Sequence, residues 1–461
     1  MQPVLTVAEM QGVDATAAAT KAIDVLVERA GTAVALAALD LMGGAYGRRV
    51  VLVCGRGNNG ADGRVAARLL ARRGAAVRIV TPDTPEAIGY GDPAVDLVVD
   101  AAYGTGFRGA YDAPDVAPAV PVLAVDIPSG VSGDTGGAAG RVLPATRTVT
   151  FVAPKPGLLQ GEGARLAGRV EVVDIGLPTG DHRIDLVEDV DVADWLPARD
   201  PGGNKWAAAV LVVAGSPGMT GAAALCAEAA YRAGSGMVRL GVPGGALGDL
   251  PSTEAVGVEL AATDWVQDAL EVADRCQVVV VGPGLGRAPG TGDQVRHLVA
   301  GSPVPVVVDA DGLTGLGRVD AHPPVAEVPV VLTPHDGEYE RLLGSPPGAD
   351  RVAAARRLAE ASGTVVLLKG PTTTVADPSG RVLLARTGTP ALASAGTGDV
   401  LSGIIAAFVA RGVPPLEAAA LGAHVHGRAG GLGYRSGLVA GDLPALVARV
   451  IDTLTRAPTL H

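Results

Sequence analysis

The segments CGRGNNGADG at residues 54–63 and SAGTGDVLSG at residues 394–403 are glycine-rich loops of unrelated design. Each loop follows a strand-like apolar run and opens a segment with the pattern of a helix. A glycine-rich turn that leads into a helix exposes backbone N–H groups to anions such as phosphate. The two loops therefore predict two separate nucleotide-handling sites, and an enzyme with two domains and two activities.

Length and composition agree with two α/β domains. The chain has 461 residues, more than the roughly 250–300 residues at which single cores stop growing. Hydrophobic residues make up 48% of it and aromatic residues only 3%, with 65 glycines and 34 prolines. This mixture favours short Val-rich strands, Ala-rich helices and many tight turns.

Charge, hydropathy and cysteine content limit the possible binding partners and the possible cellular location. The chain has 37 basic and 48 acidic residues, a net charge of −11, and no Lys/Arg run, so we expect no nucleic acid partner. The polar opening segment predicts no secretion signal, and the lack of a long apolar run predicts no membrane span. Three cysteines without metal spacing favour the reducing cytoplasm. Apolar helices in both halves predict a homo-oligomer.

Strand-like and helix-like segments alternate through both halves of the chain. Buried strands are predicted at RRVVLVCG (48–55), AAVRIV (75–80), DLVVD (96–100) and VPVLAVDIPSG (120–130). This doubly wound pattern predicts a Rossmann-like three-layer α/β sandwich over residues 1–195. The turn-rich segment LPARDPGGNK is the predicted linker (196–205), and a second α/β domain with Val/Leu strands follows at 206–461.

Three loops of the first half bring polar side chains to the ends of strands. Asn58 and Asn59 can donate to phosphate oxygens or offer carbonyl oxygens to a hard cation. Asp100 and Asp126 each end a strand, where ligands bind in this fold. Helix capping or turn closure is the alternative role for such aspartates.

In this order and spacing, GNNGADG (57–63), DAAYGTGFRG (100–109) and DIPSG (126–130) resemble the NAD(P)HX epimerase family, across almost the whole first half. The resemblance implies a potassium ion held by Asn59, Asp100 and Ser129. It also implies substrate contacts at Asn58, Asn59, Gly60, Ala61, Asp62, Gly104, Thr105, Gly106, Phe107, Arg108, Gly109, Ala110 and Asp126. Ala61 departs from the glycine more usual there, and its methyl group would crowd a phosphate if the position needed positive φ.

The implied chemistry is inversion at the hydrated ring carbon next to the nicotinamide nitrogen. Asp126 could accept a proton or stabilise an iminium ion. Lys155, in FVAPKPG, is a second candidate acid, with a solvated loop lysine as the alternative.

The second glycine loop carries the sharper motif, GTGD at residues 396–399. Its glycines would direct N–H groups at a transferring phosphate, and Asp399 would lie within reach of an acceptor hydroxyl, although a helix cap is the alternative. Lys369 and the threonines 372–374 offer phosphate contacts at a strand end. His335 follows another strand, where it contacts a ligand or satisfies a loop carbonyl.

Six motifs over roughly residues 200–455 resemble the ribokinase-like family, and within it the NAD(P)HX dehydratase branch. They are AGSPGMTGAA (214–223), GPGLG (282–286), VDADGL (308–313), TPHDGE (333–338), KGPTTT (369–374) and AGTGDVLSG (395–403). The resemblance implies substrate contacts at Ala222, Gly286, His335 and Asp399, and nucleotide contacts at Lys369, Gly370, Pro371, Thr372, Thr373 and Gly398. Ala395 replaces the glycine usual before GTGD.

Together the resemblances imply repair of hydrated NADH and NADPH. The first domain would interconvert the R and S epimers, and the second would dehydrate the S epimer. In that step Asp399 deprotonates the ring hydroxyl, which attacks the terminal phosphoryl group of ADP or ATP with Mg²⁺, and phosphate and AMP or ADP leave. The fusion favours ADP as the donor. The alternatives are a small-molecule kinase for a sugar or a hydroxymethylpyrimidine-like alcohol, and a non-catalytic nucleotide sensor.

Overall fold

The computed structural model describes residues 1–20, 23–83, 87–89, 94–198, 202–247, 252, 254–320, 324 and 326–456. Contacts between Cα atoms divide the chain into two compact units. The N-terminal unit comprises residues 3–182, and the C-terminal unit comprises residues 1–2 and 183–461. The α/β class predicted from the sequence is confirmed in both units.

The N-terminal unit is built around a parallel sheet. After a short strand β1 (Gln2–Val4), its elements are α1 (Val7–Thr20), α2 (Ile23–Met42), β2 (Arg49–Cys54), α3 (Asn58–Arg72), β3 (Ala76–Val80), β4 (Leu97–Ala101), β5 (Val122–Val125), β6 (Arg147–Phe151), α4 (Pro156–Leu159), α5 (Gly161–Leu166) and β7 (Arg169–Val173). The six-stranded sheet has the order β3-β2-β4-β5-β6-β7, and every neighbouring pair is parallel. All six carboxyl ends therefore lie at one edge, where the glycine loop after β2 meets the carboxylates at the ends of β4 and β5.

The C-terminal unit has a larger sheet. Its elements are β8 (Ile184–Leu186), α6 (Asp189–Trp195), β9 (Ala209–Val213), α7 (Thr220–Arg232), β10 (Met237–Gly241), β11 (Val256–Val258), α8 (Val266–Ala273), β12 (Val278–Val281), α9 (Thr291–Gly301), β13 (Val306–Val308), α10 (Asp311–Leu316), β14 (Val330–Leu332), α11 (Asp336–Leu343), α12 (Arg351–Ser362), β15 (Val365–Leu368), β16 (Thr373–Ala376), β17 (Val382–Ala385), α13 (Thr397–Ala410), α14 (Pro415–Leu432) and α15 (Leu443–Thr455). Short 3₁₀ helices lie at Lys205–Ala208, Pro390–Leu392 and Ala440–Asp442.

The strands within residues 183–456 follow the order β8-β17-β16-β15-β14-β13-β12-β9-β10-β11. The strands from β15 through β14, β13, β12, β9 and β10 to β11 are parallel. β16 is antiparallel to both β15 and β17. The strands are almost wholly buried Val and Leu runs, as expected of a sheet covered on both faces. Helix α13 is buried over nearly its whole length and packs on α7 and α14, which fixes the GTGD turn at its start.

The boundary between the two units lies after residue 182, earlier in the chain than the predicted linker at residues 196–205. Residues 184–186 pair in parallel with residues 382–384, so this segment belongs to the C-terminal sheet. Helix α6 packs on α14 and α15 of the same unit. The segment IDL is too short to show a period, which is why the sequence placed residues 183–195 in the first domain. Within the predicted linker 196–205, residues 199–201 lie outside the described residues.

The cysteines serve as small apolar side chains. Cys54, Cys226 and Cys276 are buried free thiols. Burial raises the pKa of Cys54 and of Cys276 to about 11, so both stay protonated. None of the helices in the described part of the chain has the length and apolar character needed to cross a membrane.

The crossing of α7 and α13 depends on a glycine. A β-carbon at position 403 would lie 2.2 Å from the Cys226 carbonyl oxygen and 3.0 Å from the Ala229 β-carbon. We expect Gly403→Ala to lower the free energy of unfolding of the C-terminal unit by about 1–3 kcal/mol through overpacking. Calorimetry of the full chain measures it. The matched control, Gly221→Ala in α7, meets no atom within 4 Å and is expected to be neutral or stabilising; equal stability of both variants would contradict the packing account.

Candidate active sites

A cavity of about 1190 Å³ opens at the carboxyl edge of the N-terminal sheet. Helix α1, the loops after β2 and β4, the residue after β5 and the segment after β6 all contribute to its wall. Of the residues predicted to contact substrate, it is lined by Asn58, Asn59, Asp62, Gly104, Thr105, Gly106, Phe107 and Asp126. The structure therefore brings the three predicted loops together around one space.

The first loop directs the start of α3 at this cavity. Gly57 precedes the helix in an extended conformation, and Asn58 and Asn59 form its first turn. Gly60 does not line the cavity. A β-carbon there would lie 2.0 Å from the Gly55 carbonyl oxygen, so this glycine permits close packing of the loop on itself. Ala61 is helical, without positive φ, and its N–H donates to the Gly57 carbonyl at 3.0 Å, so the conformation in which its methyl group would crowd a phosphate is absent.

The second loop contributes only its first half. Gly104 to Phe107 line the cavity, and the Phe107 ring packs on Tyr103 with centroids 4.2 Å apart. Arg108, Gly109 and Ala110 are exposed and do not line it. Their predicted substrate contacts therefore have no support from this arrangement.

Asp126 and Lys155 form an ion pair on the cavity wall, with Lys155 fully buried and Asp126 partly buried. The Lys155 Nζ lies 2.6 Å from Asp126 Oδ1 and also donates to Thr150 Oγ1 at 2.9 Å and to the Phe151 carbonyl at 3.3 Å. The Lys155 side chain is 1% exposed, so a solvated loop lysine is excluded. Asp126 has φ of +67°, an uncommon conformation for a non-glycine residue that is often retained at functional sites.

Two further carboxyl groups of the cavity were not predicted as acids. Asp62, foreseen only as a phosphate contact, is buried; burial, with the charge of Asp126, raises its pKa to about 8. Asp14, on α1, also lines the cavity, and burial raises its pKa. Neither followed from the sequence, because a raised pKa depends on the surrounding fold.

The predicted potassium ligands include a buried carboxylate without a cationic partner in the described part of the chain. The Asp100 carboxylate accepts from Ser129 Oγ at 2.7 Å, from the Ser129 N–H at 2.9 Å and from the Ala102 N–H at 3.3 Å. Burial raises its pKa. Asn59 donates through Nδ2 to the Val125 carbonyl at 3.0 Å, which leaves its amide oxygen available. An all-oxygen donor set with an uncompensated negative charge fits a hard monovalent cation.

In the C-terminal unit, the GTGD turn forms the start of α13. Gly396 adopts φ of +90°, and Thr397 Oγ1 donates to the Leu392 carbonyl at 2.8 Å. Asp399 lies in the first turn of the helix. Burial, then the charge of Asp309, raises the pKa of Asp399 to about 7, although Lys369 opposes the shift. Ala395, which replaces the usual glycine, is exposed and lacks positive φ, so alanine meets no conformational strain there.

Lys369 is tied to the turn by a buried network. Its Nζ lies 2.6 Å from Asp309 Oδ1, and Ser402 Oγ donates to Asp309 Oδ2 at 2.7 Å. A β-carbon placed on Gly398 would be 3.4 Å from the same Nζ, so the ammonium lies close to Gly398 in the GTGD turn. The role of Asp309 was not predicted, although its position after a Val-rich strand in VDADGL was a usable signal.

His335 caps helix α11 and remains exposed. Its Nδ1 accepts from the N–H of Gly337 at 3.0 Å and of Glu338 at 3.3 Å, and its Nε2 lies 3.5 Å from Glu338 Oε1. Glu338 is buried and reaches back to the His335 N–H at 2.9 Å. Burial raises the pKa of Glu338, while the charge of Lys369 lowers it. His335 therefore caps the helix by accepting backbone N–H groups rather than by satisfying a loop carbonyl, and its contact with a ligand stays a prediction.

The other residues predicted to bind ligands are the substrate contacts Ala222 and Gly286 and the nucleotide contacts from Gly370 to Thr373. A β-carbon on Gly284 would lie 2.9 Å from the Ala222 β-carbon, and Gly286 donates to Asp311 Oδ2 at 3.0 Å, so α7 and the loop after β12 are neighbours. Gly370 to Thr373 continue from Lys369 into β16. Within that group Pro371 is exposed and Thr372 is buried.

Comparisons with known proteins agree with this arrangement. Residues 210–452 match the family model described as NAD(P)H-hydrate dehydratase. Residues 23–89 and 81–157 match the model described as YjeF-related protein N-terminus. The two matches fall on the C-terminal and N-terminal units respectively.

Similar full-length relatives carry one name, bifunctional NAD(P)H-hydrate repair enzyme Nnr. The protein of Moorella thermoacetica is 39% identical, over 98% of this chain and 97% of the relative. The protein of Salinibacter ruber is 38% identical, over 97% and 96% respectively. The chain therefore belongs to the family of bifunctional NAD(P)H-hydrate repair enzymes, as the sequence motifs predicted.

Two solved structures resemble the C-terminal unit. One is the ADP/ATP-dependent NAD(P)H-hydrate dehydratase of Bacillus subtilis, co-crystallised with ATP and Mg²⁺. It has a TM-score of 0.50 and 29% identity, over 58% of this chain and 97% of that one. The other is a ribokinase-like superfamily protein of Enterococcus faecalis, with a TM-score of 0.50 and 23% identity, over 59% and 95%. The predicted ribokinase-like fold is confirmed.

Proposed function

We propose that the N-terminal unit epimerises R- and S-NAD(P)HX and that the C-terminal unit dehydrates the S epimer to NADH or NADPH. The observation that carries the proposal is that each unit holds an aspartate beside a glycine-rich helix start at the carboxyl edge of its sheet. Asp126 lies on the cavity with the α3 start, and Asp399 lies within the first turn of α13. Such a placement combines anion binding with proton transfer.

In the N-terminal unit the substrate's phosphates would bind at the start of α3, near Asn58 and Asn59. The hydrated ring would then face Asp126. Because Lys155 and Thr150 occupy Asp126 Oδ1, its other oxygen, Oδ2, is the one available to the substrate. Oδ2 lies 3.4 Å from the Thr105 N–H, a weak contact. A negative Oδ2 beside the ring would stabilise positive charge that develops at the ring nitrogen.

Potassium would be held by the Asp100 carboxylate and the Asn59 amide oxygen, with Ser129 beside them. The Ser129 hydroxyl is already bonded to Asp100 and to the Tyr103 carbonyl, so its clearest part is to orient the carboxylate. Bound potassium would supply the positive charge that the buried Asp100 lacks. Its contribution would be to hold the loops after β2 and β4 in place around the substrate.

In the C-terminal unit Asp399 would take the proton of the ring hydroxyl as the oxygen attacks the terminal phosphoryl group of ADP or ATP. The N–H groups of the GTGD turn and the Lys369 ammonium would stabilise the charge on that group. Asp309 and Ser402 hold Lys369 in this position. Phosphate is a much better leaving group than hydroxide, so elimination then yields the dihydronicotinamide, phosphate, and AMP or ADP.

Mg²⁺ would enter with the nucleotide. No group of three or more His, Cys, Asp or Glu side chains in the described part of the chain could hold a metal ion alone. Mg²⁺ typically keeps several waters and is bound by one or two carboxylates together with substrate phosphates. Glu338, a buried carboxyl close enough to Lys369 to feel its charge, is a candidate to complete that shell, in which case its hydrogen bond to the His335 N–H would have to be shared with the ion.

The titration of Asp399 predicts how dehydration depends on pH. The base must be ionised to take the hydroxyl proton, and its pKa is raised to about 7. We therefore expect kcat for NADH formation from S-NADHX to rise about tenfold per pH unit below pH 6 and to level off above pH 8. Steady-state kinetics at saturating ADP or ATP measure this profile. A kcat that stays flat between pH 5 and 9 would contradict the role of Asp399 as the base.

The epimerase half can be tested by itself. Purified R-NADHX is incubated with the full chain without ADP or ATP, and the two epimers are separated by chromatography. We expect approach to an equilibrium mixture far faster than the spontaneous reaction. If the folded protein interconverts the epimers no faster than the spontaneous reaction, the proposed epimerase function is wrong.

A further inference from the structure

Inversion at the hydrated ring carbon requires proton transfer on both faces of the ring. Hydroxide is a poor leaving group, so the departing hydroxyl needs a proton on the face from which it leaves. The water that returns on the opposite face must lose a proton. Two groups on different walls of the cavity are therefore needed, one as acid and one as base.

The Asp126–Lys155 pair provides a base but no acid. Every proton of the Lys155 ammonium has an acceptor within the protein, at Asp126, Thr150 and Phe151. Asp126 accepts the hydrogen bonds of Lys155 and Thr150 on Oδ1, which leaves Oδ2 for the substrate. Its Oδ2 can take a proton, but the pair has none to offer the substrate.

Asp62 lines the same cavity from a different element. It lies in the first helical turns of α3, whereas Asp126 follows β5. Its side chain lines the cavity, only 6% of the residue is exposed, and it forms no hydrogen bond or ion pair with any described residue. A buried carboxyl without a partner is costly in its ionised form. Its raised pKa agrees with this, so Asp62 is largely protonated at pH 7 with its proton uncommitted.

The charges around the cavity also favour a neutral Asp62. The other acidic side chains on its wall are Asp14, Asp83 and Asp126, and the basic ones are Arg56, Arg64 and Lys155. An ionised Asp62 would add a fourth negative charge beside the loop proposed to bind phosphate. Among the other carboxyl groups on this wall, Asp14 also has a raised pKa, from partial desolvation, but the residue as a whole is exposed to solvent and is less suited than Asp62 to keep a proton for the substrate.

We propose that Asp62 is the general acid of the epimerase, an assignment that rests on the proposed epimerase function. Its carboxyl proton passes to the ring hydroxyl as the carbon–oxygen bond breaks. The lone pair of the ring nitrogen forms the carbon–nitrogen double bond of an iminium ion, and water leaves. A water molecule then adds to the opposite face of that carbon, and its proton passes to Asp126 Oδ2. The reverse inversion follows the same path backwards, starting from the form of the enzyme in which Asp126 Oδ2 carries the proton and Asp62 is ionised. Proton exchange with solvent interconverts the two forms.

Asp62→Asn in the full chain tests this assignment, because asparagine keeps the size of the side chain but cannot donate an acidic proton. Separately purified R- and S-NADHX are each incubated without ADP or ATP, and the epimers are separated by chromatography. We expect interconversion to slow about 100-fold or more in both directions, in kcat with KM within about threefold. Asp83→Asn, which removes an exposed carboxylate on the same cavity, is expected to change the rate by less than about threefold.

A second measurement uses the wild-type chain and so does not depend on how the variant folds. In H₂¹⁸O, each enzymatic inversion should introduce one ¹⁸O into the ring hydroxyl, above the spontaneous exchange. Inversion without ¹⁸O would overturn the proposal, and so would an Asp62→Asn variant that retains its rate within about threefold. If the wild-type chain interconverts neither epimer, the proposed epimerase function itself fails, which is a different result.

Discussion

Asp399→Asn is expected to lower the rate of NADH recovery from S-NADHX about 10³-fold. The substitution keeps the size of the side chain at the start of α13 but removes the only group there proposed to take the hydroxyl proton. General base catalysis contributes roughly 10² to 10⁴ in rate. The measurement is reduced-nicotinamide absorbance at saturating ADP or ATP. Epimerisation of R-NADHX by the same variant should remain at the wild-type rate, because Asp126 and Asp399 belong to different units.

Asp293→Asn is the matched control for this loss. Asp293 also lies in the first turn of a helix of the C-terminal unit, α9, but its side chain is 72% exposed and pairs with Arg296. Removing its charge should leave recovery unchanged. If Asp399→Asn kept more than a tenth of the wild-type kcat, or if both activities fell together in a folded protein, the assignment of one base to one unit would be wrong.

Asp126→Asn is expected to slow epimerisation about 10²- to 10⁴-fold. Recovery from a mixed preparation would then stop once the S epimer is consumed. Asparagine tolerates the positive φ of this position, so the backbone should keep its conformation. The measurement is the fraction of R-NADHX that remains when NADH formation ends.

Loss of the Asp126 charge also leaves the Lys155 ammonium buried without its anion, which costs stability. The double variant Asp126→Asn, Lys155→Met removes both charges and separates this effect from catalysis. We expect it to regain thermal stability and to remain inactive as an epimerase. Consumption of both epimers at the wild-type rate by either variant would remove Asp126 from the mechanism.

The local features of both sites could be predicted from the sequence. A glycine-rich turn that opens a helix is a short-range pattern, and CGRGNNGADG and SAGTGDVLSG open α3 and α13 in the structure. The first directly follows strand β2, whereas a 3₁₀ helix at Pro390–Leu392 separates the second from β17. Carboxylates at strand ends, such as Asp100 and Asp126, were placed at the sheet edge for the same reason. Parallel strands gather their carboxyl ends, so loops distant in sequence become neighbours.

What the sequence could not reveal depends on packing between distant segments. Lys155 is an ordinary lysine in FVAPKPG until the fold buries it against Asp126. Asp309 can hold Lys369 only because β13 and β15 bring the two side chains together, although they are 60 residues apart in the sequence. The raised pKa of Asp62 arises from burial, which no local pattern encodes. The strand β8 was missed because three residues carry no period and its pairing partner is β17.

The central claim is that one chain recovers both epimers of the damaged cofactor. Its most direct test is to give the purified protein a mixed-epimer NADHX preparation with ADP or with ATP, and to follow NADH absorbance and released phosphate together. We predict recovery of nearly all the NADH with one phosphate released per NADH, for at least one of the two nucleotides. No recovery with either nucleotide, or a stable phosphorylated product without phosphate release, would contradict the account and indicate a small-molecule kinase.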